Sequence, residues 1–587
     1  MDNLHPGLIL ILTGILTLAV PEKAGKLTAL IGAAVSAAAM LSLDVSAAIS
    51  FCFTSDITME LLRVDPLSRL FGLIFCVIAL LSGIYSFENQ KRGERSAALI
   101  YAGSSICVVF AGDLVSLICF WEIMAVASCC LVFAGRTEQA KQASYRYLLM
   151  HFFGGNLLLS GIVLLLSEGH TQLELLSDDN GWAFWLIFLG VAVNGAIPPL
   201  HTWVPDAYPQ SSPTATVYLG SYTTKAAIYV MIRLFAGMEE LVMIGALTAI
   251  FGACMALIEN NLRRLLSYHI VSQLGMMTAA LGTGIDVGID GAALHAVFNI
   301  LYKGVLLMGA GAVLQMTGTE KITELGGLYR KMPVTASCFL IASLAIAGVP
   351  PLNGFVSKGL VMESLKEGGF TAAYWLVMLA GIGTWLSITL KINWFVFFGK
   401  EGKRDRFGTG GKLTVSGKGD EVGPSEREPR CMQAAMILGT SLCILTGVFP
   451  DRIYSFLPQG SIGHPYTASH VAEYLFLFAG ATGAFFLMRK KMFPHDQLTL
   501  DFDWFYRKPL AKAVERLSVL VVKTFQRFEI SAENFVWAAK VLPNSPAQIL
   551  RAFEKWHREE DNMPVGQFMQ MFIIFCIIAF VFILIIE

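Results

Sequence analysis

The chain has 587 residues, of which 55% are hydrophobic and 15% are charged, and its mean hydropathy is +0.61. Soluble domains carry roughly 25% charged residues, so the composition excludes an ordinary soluble domain and predicts a protein that crosses a membrane many times. The net charge of −1 argues against a nucleic-acid-binding surface. The eleven cysteines form no Cys-x-x-Cys pair, and there is no GxGxxG, Walker A or His-Glu-x-x-His motif. We therefore expect no metal, no cofactor and no catalytic centre in this chain.

Apolar runs of membrane-spanning length recur along the whole sequence. They cover about 6–20, 27–42, 65–86, 97–112, 113–135, 145–167, 181–200, 213–236, 241–258, 265–283, 289–314, 335–366, 371–398, 432–449, 469–488 and 567–586. The sequence thus predicts an all-α polytopic membrane protein with about sixteen transmembrane helices.

Charges sort cleanly when the loops are assigned alternately to the two sides of the membrane. One set of loops is basic and holds Lys23, Lys26, Lys91, Arg92, Arg95, Arg136, Lys141, Arg146, Arg263, Arg264, Lys321, Arg330, Lys331, Arg489, Lys490 and Lys491. The other set is acidic and holds Asp44, Asp56, Glu60, Glu168, Asp178, Asp179, Glu239, Glu240, Asp286 and Asp290. Cytoplasmic loops are enriched in Lys and Arg, so we predict that the basic set is cytoplasmic and that both termini face outward.

The spans and loops divide the chain into seven segments. We assign 1–95 to N-terminal helices, 96–240 and 241–398 to two repeats, 399–431 to a flexible cytoplasmic loop, 432–490 to additional helices, 491–565 to an amphipathic segment and 566–587 to a C-terminal anchor helix. From Tyr506 to Trp556, apolar and charged residues mix at helical spacing. This pattern predicts one or two helices along the membrane surface or along partner subunits, kinked or divided at Pro543 and Pro546.

The two repeats share a Pro-Pro-Leu break. Residues 196–207 read Ala-Ile-Pro-Pro-Leu-His-Thr-Trp-Val-Pro-Asp-Ala, and residues 347–358 read Ala-Gly-Val-Pro-Pro-Leu-Asn-Gly-Phe-Val-Ser-Lys. A pair of interrupted hydrophobic segments in corresponding places of two halves indicates an inverted-repeat transporter, with its ion site near the breaks.

We single out five ionisable side chains inside the predicted spans: Glu122, Lys225, His295, Lys303 and Lys358. A charge at bilayer depth costs at least about 2.5–3.5 kcal/mol, so such residues usually mark an ion or proton path. The side chains of His295, Asn299 and Lys303 are four residues apart and form a polar stripe about 12 Å long on one helix face. Lys358 follows the break at Pro350-Pro351, where freed carbonyls can be satisfied by water or ions.

Each of these residues also has a structural interpretation. Glu122 could be hydrogen-bonded for packing, Lys225 could extend towards the interface, and Lys358 could be interfacial. His151, near the start of its span, could gate cytoplasmic proton uptake or be structural. His201, in the Pro-rich turn, is expected to cap a helix.

These motifs resemble those of the large antiporter-like membrane subunits of respiratory complex I, Mrp-type cation/proton antiporters and membrane-bound hydrogenases. The matching pieces keep their order over about residues 65–400. They are Phe120-Trp121-Glu122, Pro199-Leu200-His201-Thr202-Trp203-Val204-Pro205-Asp206-Ala207, Thr224-Lys225-Ala226-Ala227-Ile228-Tyr229 with Arg233, Arg263-Arg264-Leu265-Leu266-Ser267-Tyr268, Val271-Ser272-Gln273-Leu274-Gly275, His295 through Lys303, and Pro350-Pro351-Leu352-Asn353-Gly354-Phe355 with Ser357-Lys358. The resemblance implies two inverted five-helix repeats, each with a broken helix, and a shortened C-terminal lateral helix with its anchor over 501–587.

The resemblance also implies roles for the five ionisable residues along a mid-membrane axis. Glu122 matches the family glutamate that pairs with a lysine, and Lys225 matches the lysine of the first half. His295 and Lys303 match the relay of the second half, and Lys358 matches the terminal lysine of the broken helix.

Two positions depart from the family pattern. Asn194 stands where the family usually has a lysine, and Asn299 stands where many relatives have a second histidine. Asparagine cannot change its protonation state. Either Lys225 becomes the partner of Glu122, or the first half-channel is rewired or inactive. Asn194 could also offer its carbonyl oxygen to Na⁺.

The implied function is that of a proton- or Na⁺-translocating subunit in a multi-subunit complex of a prokaryotic inner cell membrane. Protons would enter from the cytoplasm, load Lys225 or Lys303 and leave by Lys358, while Glu122 would couple the path to neighbouring membrane subunits. The driving force would be a redox partner or a cation gradient, so whether the complex is an enzyme stays open. The alternatives are an Mrp-type antiporter subunit without a redox partner and a structural scaffold that no longer pumps.

Overall fold

The computed structural model describes residues 4–45, 47–52, 58–177, 180–399, 428–460, 466–489, 495, 501–505, 508–509, 512–513 and 515–526. The predicted cytoplasmic loop (399–431), much of the amphipathic segment with Pro543 and Pro546, and the predicted anchor (566–587) lie largely or wholly outside these residues. The chain forms two compact units, Met1–Thr499 and Leu500–Glu587.

Helices make up most of the first unit, and they begin and end within a few residues of the predicted apolar runs. They are α1 (Pro6–Ala19), α2 (Glu22–Ser42), α3 (Pro66–Ser86), α4 (Arg92–Phe110), α5 (Leu114–Phe133), α6 (Glu138–Ser167), α7 (Gly181–Asn194), α8 (Trp203–Ala207), α9 (Pro213–Leu219), α10 (Thr223–Phe235), α11 (Glu240–Ile258), α12 (Leu262–Gly282), α13 (Asp286–Thr317), α14 (Pro333–Ala347), α15 (Asn353–Glu367), α16 (Thr371–Thr384), α17 (Arg430–Val448), α18 (Asp451–Tyr454) and α19 (Ala468–Met488). The second unit has α20 (Asp503–Phe505) and a helical stretch over 515–526.

The length and composition of these helices suit a membrane. Among the described residues, nine helices are long and apolar enough to cross one, and three shorter apolar helices (Pro6–Ala19, Gly181–Asn194 and Pro333–Ala347) accompany them. Helix α13 is the longest of the nine, and 94% of the residues in its most apolar 18-residue stretch are buried inside the chain. The polar stripe of α13 is therefore surrounded by protein, not by lipid.

The all-α prediction needs one correction, because the connection between α2 and α3 is a β-hairpin. Strands β1 (Ala48–Cys52) and β2 (Thr58–Arg63) pair antiparallel. The connection is too short and polar to span a bilayer, and strand pairing satisfies its backbone instead. The hairpin is held to the start of α5, since the Gly112 amide donates to the Glu60 carbonyl (2.9 Å) and the Glu60 amide donates to Asp113 Oδ2 (2.6 Å).

Two predicted runs are divided into helix halves. Run 213–236 is interrupted between α9 and α10 at Gly220–Tyr222, and run 335–366 is interrupted between α14 and α15, where Pro350-Pro351 is a cis bond. Pro198-Pro199 is also cis and lies between α7 and α8. The sequence had suggested that Lys225 lies in the middle of a continuous span. In the structure it lies at the start of a helix half.

The end of run 371–398 has a second irregularity. From Trp385 to Phe398 the backbone is π-helical. Such segments are rare and occur frequently at functional sites. Four polar side chains of this segment are buried: Ser387, Thr389, Lys391 and Asn393.

Helices α11 and α12 approach so closely that their backbones touch at glycines. A Cβ atom added at Gly245 would lie 2.3 Å from the Ala279 amide nitrogen, and one added at Gly275 would lie 2.3 Å from the Ala249 amide nitrogen. Only glycine fits at either position, and the contact fixes the position of α12 against α11.

We predict that Gly275→Ala destabilises the protein by about 1–3 kcal/mol, because the methyl group forces two tightly packed backbones apart. Thermal unfolding of the detergent-solubilised protein, followed by size-exclusion chromatography, measures the loss. Gly480→Ala is the matched control, since a Cβ atom at that helical position meets no heavy atom of the described residues within 4 Å. Equal melting temperatures for the two variants would contradict the prediction.

Candidate functional site

Lys225 is fully buried and caps the first helix break. Its Nζ atom donates to the carbonyl of Gly220 (2.8 Å) and to the hydroxyl of Thr224 (3.2 Å). Gly220 is the C-cap residue of α9. The ammonium group thus satisfies a carbonyl at the negative end of a helix half, where a cation is favoured.

Lys358 makes the same arrangement at the second break. It lies in the second turn of α15, and its Nζ atom donates to the carbonyls of Ile346 (2.7 Å) and Ala347 (3.2 Å). These are the last two residues of α14. Each half of the chain therefore places one buried lysine on the carbonyl end of an interrupted helix.

His295 connects α13 to the second break. Its Nδ1 atom is 2.9 Å from the hydroxyl of Ser357, and its Nε2 atom is 3.1 Å from the amide oxygen of Gln273 on α12. Ser357 directly precedes Lys358 in the chain. Hydrogen bonds through His295 thus join α12, α13 and α15, and they end at the residue next to Lys358.

The other members of the α13 stripe are buried beside this group. Asn299 donates to the hydroxyl of Tyr302 (3.3 Å), while its amide oxygen makes no hydrogen bond within the described residues. The Nζ atom of Lys303, which is fully buried, also makes no hydrogen bond within the described residues. Buried polar atoms of this kind are usually satisfied by internal water, so the stripe has the chemistry of a hydrated path.

Glu122 lies apart from Lys225. It is half-buried on α5, and its Oε1 atom lies against Gly155 of α6, where an added Cβ atom would be only 1.9 Å away. In the described part of the chain, Glu122 forms no ion pair with Lys225, whose ammonium group binds Gly220 instead. Exposed apolar neighbours on the same helix, Ile123 and Val126, place Glu122 at the surface of the chain.

His151 and Asn194 lie side by side in the first half. His151 is one helical turn before Gly155 on α6, and its ring packs against Tyr147 (4.1 Å between centroids) and Trp203 (4.6 Å). Asn194, the last residue of α7, faces His151, but the two side chains make no hydrogen bond of good geometry. Asn194 and His151 thus form a buried polar pair in the first half.

His201 is buried in the turn before α8, with its ring edge-on to Phe251 at 4.8 Å. The N-cap residue of α8 is Thr202, and no side chain caps that helix. The expected capping of α8 by His201 is therefore wrong.

A hydroxyl cluster, missed in the sequence, joins the two parts of the first half. Tyr101 shares a hydrogen bond with the Thr223 hydroxyl (2.7 Å), and Tyr147 donates to Ser128 (2.9 Å) and lies beside Thr223. Thr223 begins α10, two residues before Lys225. Tyrosines and threonines inside spans carry no charge signal, and for this reason the sequence did not reveal them.

A further buried lysine, Lys391, was also missed. Its Nζ atom donates to the carbonyls of Leu257 and Glu259 (2.7 Å each) at the end of α11. The signal that identified the other lysines was present here too, because Lys391 is an ionisable residue inside an apolar run.

An open cavity of about 480 Å³ lies near Lys358. Its polar lining comes from the ends of α15, α16 and α19, namely Glu363, Lys366, Tyr374, Thr467, Ser469, His470 and Glu473. Met362 and Tyr474 line both this cavity and a smaller one that contains Lys358. Tyr474 packs against Phe355 (5.3 Å) and His470 (5.0 Å), so an aromatic layer separates the lysine from the larger cavity.

Within the described residues, no group of three or more His, Cys, Asp or Glu side chains could hold a metal ion. The site consists of lysine, histidine, amide and hydroxyl groups, of which the lysines and histidines can exchange protons.

Comparisons with known proteins agree with this chemistry. Residues 111–387 match the family described as NADH:quinone oxidoreductase/Mrp antiporter, TM. A Na⁺/H⁺ antiporter subunit of Bacillus subtilis is 27% identical over 366 residues, which are 58% of this chain and 74% of that protein. Hydrogenase-4 component B of Escherichia coli is 27% identical over 423 residues, which are 65% of this chain and 62% of that protein.

The fold agrees as well. A chain of the Mrp complex from Dietzia sp. DQ12-45-1b superposes with a TM-score of 0.67 at 20% identity, covering 80% of this chain and 98% of that chain. The matched family segment contains Glu122, Lys225, His295, Lys303 and Lys358. Residues 111–387 are thus similar to the membrane subunits of the NADH:quinone oxidoreductase/Mrp antiporter family, and the helices of spanning length make the chain a multi-pass membrane protein.

Proposed function

We propose that the chain translocates protons, or Na⁺, as one subunit of a multi-subunit membrane complex, along the path Glu122, Lys225, His295, Lys303 and Lys358. The observation that carries this proposal is the repeated arrangement of a buried lysine on the carbonyl end of an interrupted helix, at Lys225 and at Lys358.

Neither of these lysines has a carboxylate partner among the described ion pairs. An ammonium group held only by backbone carbonyls and hydroxyls can lose its proton without leaving an unpaired carboxylate behind. A buried lysine–glutamate pair would resist this change, because loss of one charge strands the other. The carbonyl cage therefore favours a lysine that is loaded and unloaded repeatedly.

We further propose that about sixteen spans form two inverted five-helix repeats, over 96–240 and 241–398, with the basic loops in the cytoplasm. Contacts at one end of the bundle support this orientation. Arg263 pairs with Glu320 and donates to the Ser211 carbonyl (2.8 Å). These residues belong to loops or helix ends on the predicted cytoplasmic side.

The outward exit in this proposal is the cavity of about 480 Å³, whose lining residues lie at the predicted outer ends of α15 and α19. A proton released by Lys358 would pass the aromatic layer at Tyr474 and reach acidic and basic side chains in contact with water.

The partners we propose are other membrane subunits, and Glu122 supports this. A half-exposed carboxyl beside Ile123 and Val126 would face lipid if nothing covered it, which is costly. A neighbouring subunit on this face would shield the carboxyl and could respond to its charge. Relatives named as antiporter subunits and as a hydrogenase component are consistent with such an assembly.

Asn194 favours a second candidate. A fully buried asparagine next to His151 cannot carry a proton, so the first half could be inactive and the chain could serve as a structural scaffold. An Mrp-type antiporter subunit, powered by a cation gradient alone, differs from the main proposal only in its driving force.

Transport by inverted vesicles from cells that express the whole gene cluster tests the proposal. Because a positioned proton-transferring group contributes about a hundredfold or more to a rate, we expect Lys358→Met and Lys225→Ala to lower Na⁺- or ΔpH-driven transport at least about tenfold. Lys321→Met, at an exposed lysine outside the path, is the control and should transport normally.

The outcomes separate the candidates. If Lys225→Ala transports normally in an assembled complex but Lys358→Met does not, the path is confined to His295, Lys303 and Lys358. If both variants and Glu122→Gln transport like the wild type, the translocation proposal is wrong and the scaffold is correct.

Cysteine labelling tests the outward exit. We expect Ser469→Cys to react with a membrane-impermeant maleimide added outside intact cells, beyond the background of the native cysteines, because Ser469 lines the open cavity. Lys321→Cys, on the predicted cytoplasmic side, should react only in inverted vesicles. The reverse labelling pattern would invert the proposed orientation.

A further inference from the structure

We propose that Lys391, Ser387 and His269 form a second proton-uptake branch, which joins the path at His295 without passing through the first half. This inference rests on the proposed function and adds three residues that lie outside the motifs quoted for the family resemblance.

The branch begins at the end of the bundle that holds the basic loops. The Lys391 ammonium donates to the carbonyls of Leu257 and Glu259 (2.7 Å each), at the carbonyl end of α11. Lys391 is thus a third buried lysine that caps a helix end, in the manner of Lys225 and Lys358. A proton that loads Lys391 has only to reach the end of α11, and does not cross the first half.

The mouth of the branch carries an acidic group. The Glu259 carboxylate accepts from the amides of Asn260 (2.9 Å) and Asn261 (3.0 Å) and pairs with Arg264 at 3.4 Å. It also interacts electrostatically with Lys391. The Arg264 side chain is 33% exposed, so the carboxylate connects a partly exposed surface with a buried lysine.

The π-helical segment supplies the next step. Ser387 lies one turn before Lys391, and its hydroxyl is 2.7 Å from His269 Nε2 on α12. The Ser387 hydroxyl donates to the Gly383 carbonyl (2.6 Å), so it is free to accept from the histidine. The segment therefore places a hydroxyl and an ammonium group on the side that faces α12.

From His269 the branch continues along α12 to the main path. Gln273 is one helical turn further on, and its amide oxygen is 3.1 Å from His295 Nε2. Because an amide does not change its protonation state, Gln273 positions the water that carries the proton from His269 to His295. The Nδ1 atom of His295 is hydrogen-bonded to the hydroxyl of Ser357, which directly precedes Lys358 in the chain. His269 and Gln273 are four residues apart, which corresponds to a rise of about 6 Å along the helix. One water molecule can bridge two polar groups at this separation.

Two polar atoms support a water-mediated step at this gap. His269 Nδ1 and Gln273 Nε2 are buried and make no hydrogen bond within the described residues. Buried atoms of this kind normally bind internal water. His269 also lies within electrostatic reach of Lys303, Lys358 and Lys391, so a positive charge on any of these lysines disfavours a second positive charge on His269.

A purely structural interpretation of Lys391 is that it only holds the end of α11. Lys391→Arg separates the two interpretations, because arginine keeps the positive charge and the hydrogen bonds to carbonyls but does not release its proton at physiological pH. His269→Gln makes the same distinction, since glutamine can bond to Ser387 but carries no exchangeable charge.

The experiment measures transport by inverted vesicles from cells with the whole gene cluster, together with the amount of assembled complex. Because the replaced groups hold or lack the proton permanently, and because the second half takes up its own proton through this branch in every cycle, we expect Lys391→Arg and His269→Gln each to lower the rate at least about tenfold at normal assembly, although the first half is unchanged. Ser387→Ala should lower the rate as well, and Ser387→Thr, which restores the hydroxyl, should recover it. Lys26→Arg is the matched control, because Lys26 donates to the Glu88 carbonyl (2.8 Å) on the same side of the bundle, away from the branch.

Each result supports or overturns the branch. Normal transport by Lys391→Arg or by His269→Gln, beside a loss in Lys358→Met, would overturn it and leave the main path intact. Loss of transport in Lys391→Arg, His269→Gln and Lys358→Met, together with normal transport in Lys26→Arg, would establish the branch. An inactive wild type would overturn the proposed function, and the branch with it. If Lys391→Arg fails to assemble, comparison of Ser387→Ala with Ser387→Thr decides between the two interpretations.

Discussion

The bond between a lysine ammonium group and the carbonyls at a helix end is the interaction on which the interior of this protein depends. A helix cannot stop inside a membrane unless its last carbonyls find donors, and an ammonium group cannot remain there unless it finds acceptors. At the ends of α9 and α14 the two needs are met together, by Lys225 and Lys358, and Lys391 makes the same kind of bond at the end of α11. The same bond that makes the break tolerable also holds the group that can exchange a proton.

The two halves use this interaction differently. In the second half, hydrogen bonds between Gln273, His295 and Ser357 join three helices, and Lys358 follows Ser357 in the chain. In the first half, Lys225 bonds to Gly220 and Thr224, His151 and Asn194 make no hydrogen bond of good geometry within the described residues, and Glu122 lies at the surface. The hydrogen-bonded connection between helices is therefore more complete in the second half.

Local pattern predicted much of the fold and part of the site. Apolar length gave the positions of the helices, and charge inside apolar runs gave the five ionisable residues, because both properties belong to neighbouring positions in the chain. Hydrogen-bond partners are distant in the chain and cannot be read from a local pattern. Ser387 and His269 are 118 residues apart, and His295 and Ser357 are 62 residues apart. The π-helical segment could not be predicted either, since its sequence is ordinary apolar helix and its geometry is set by packing.

The helix ends around the lysines have a consequence for the sign of the ions that the interior can hold. Backbone carbonyls at the ends of α9, α14 and α11 keep their partial negative charge whatever the protonation state of the lysines. When a lysine gives up its proton, the place it occupies still attracts a positive charge and repels chloride. We therefore expect exclusion of anions to be a property of the backbone itself, one that substitution of any single lysine by methionine leaves in place.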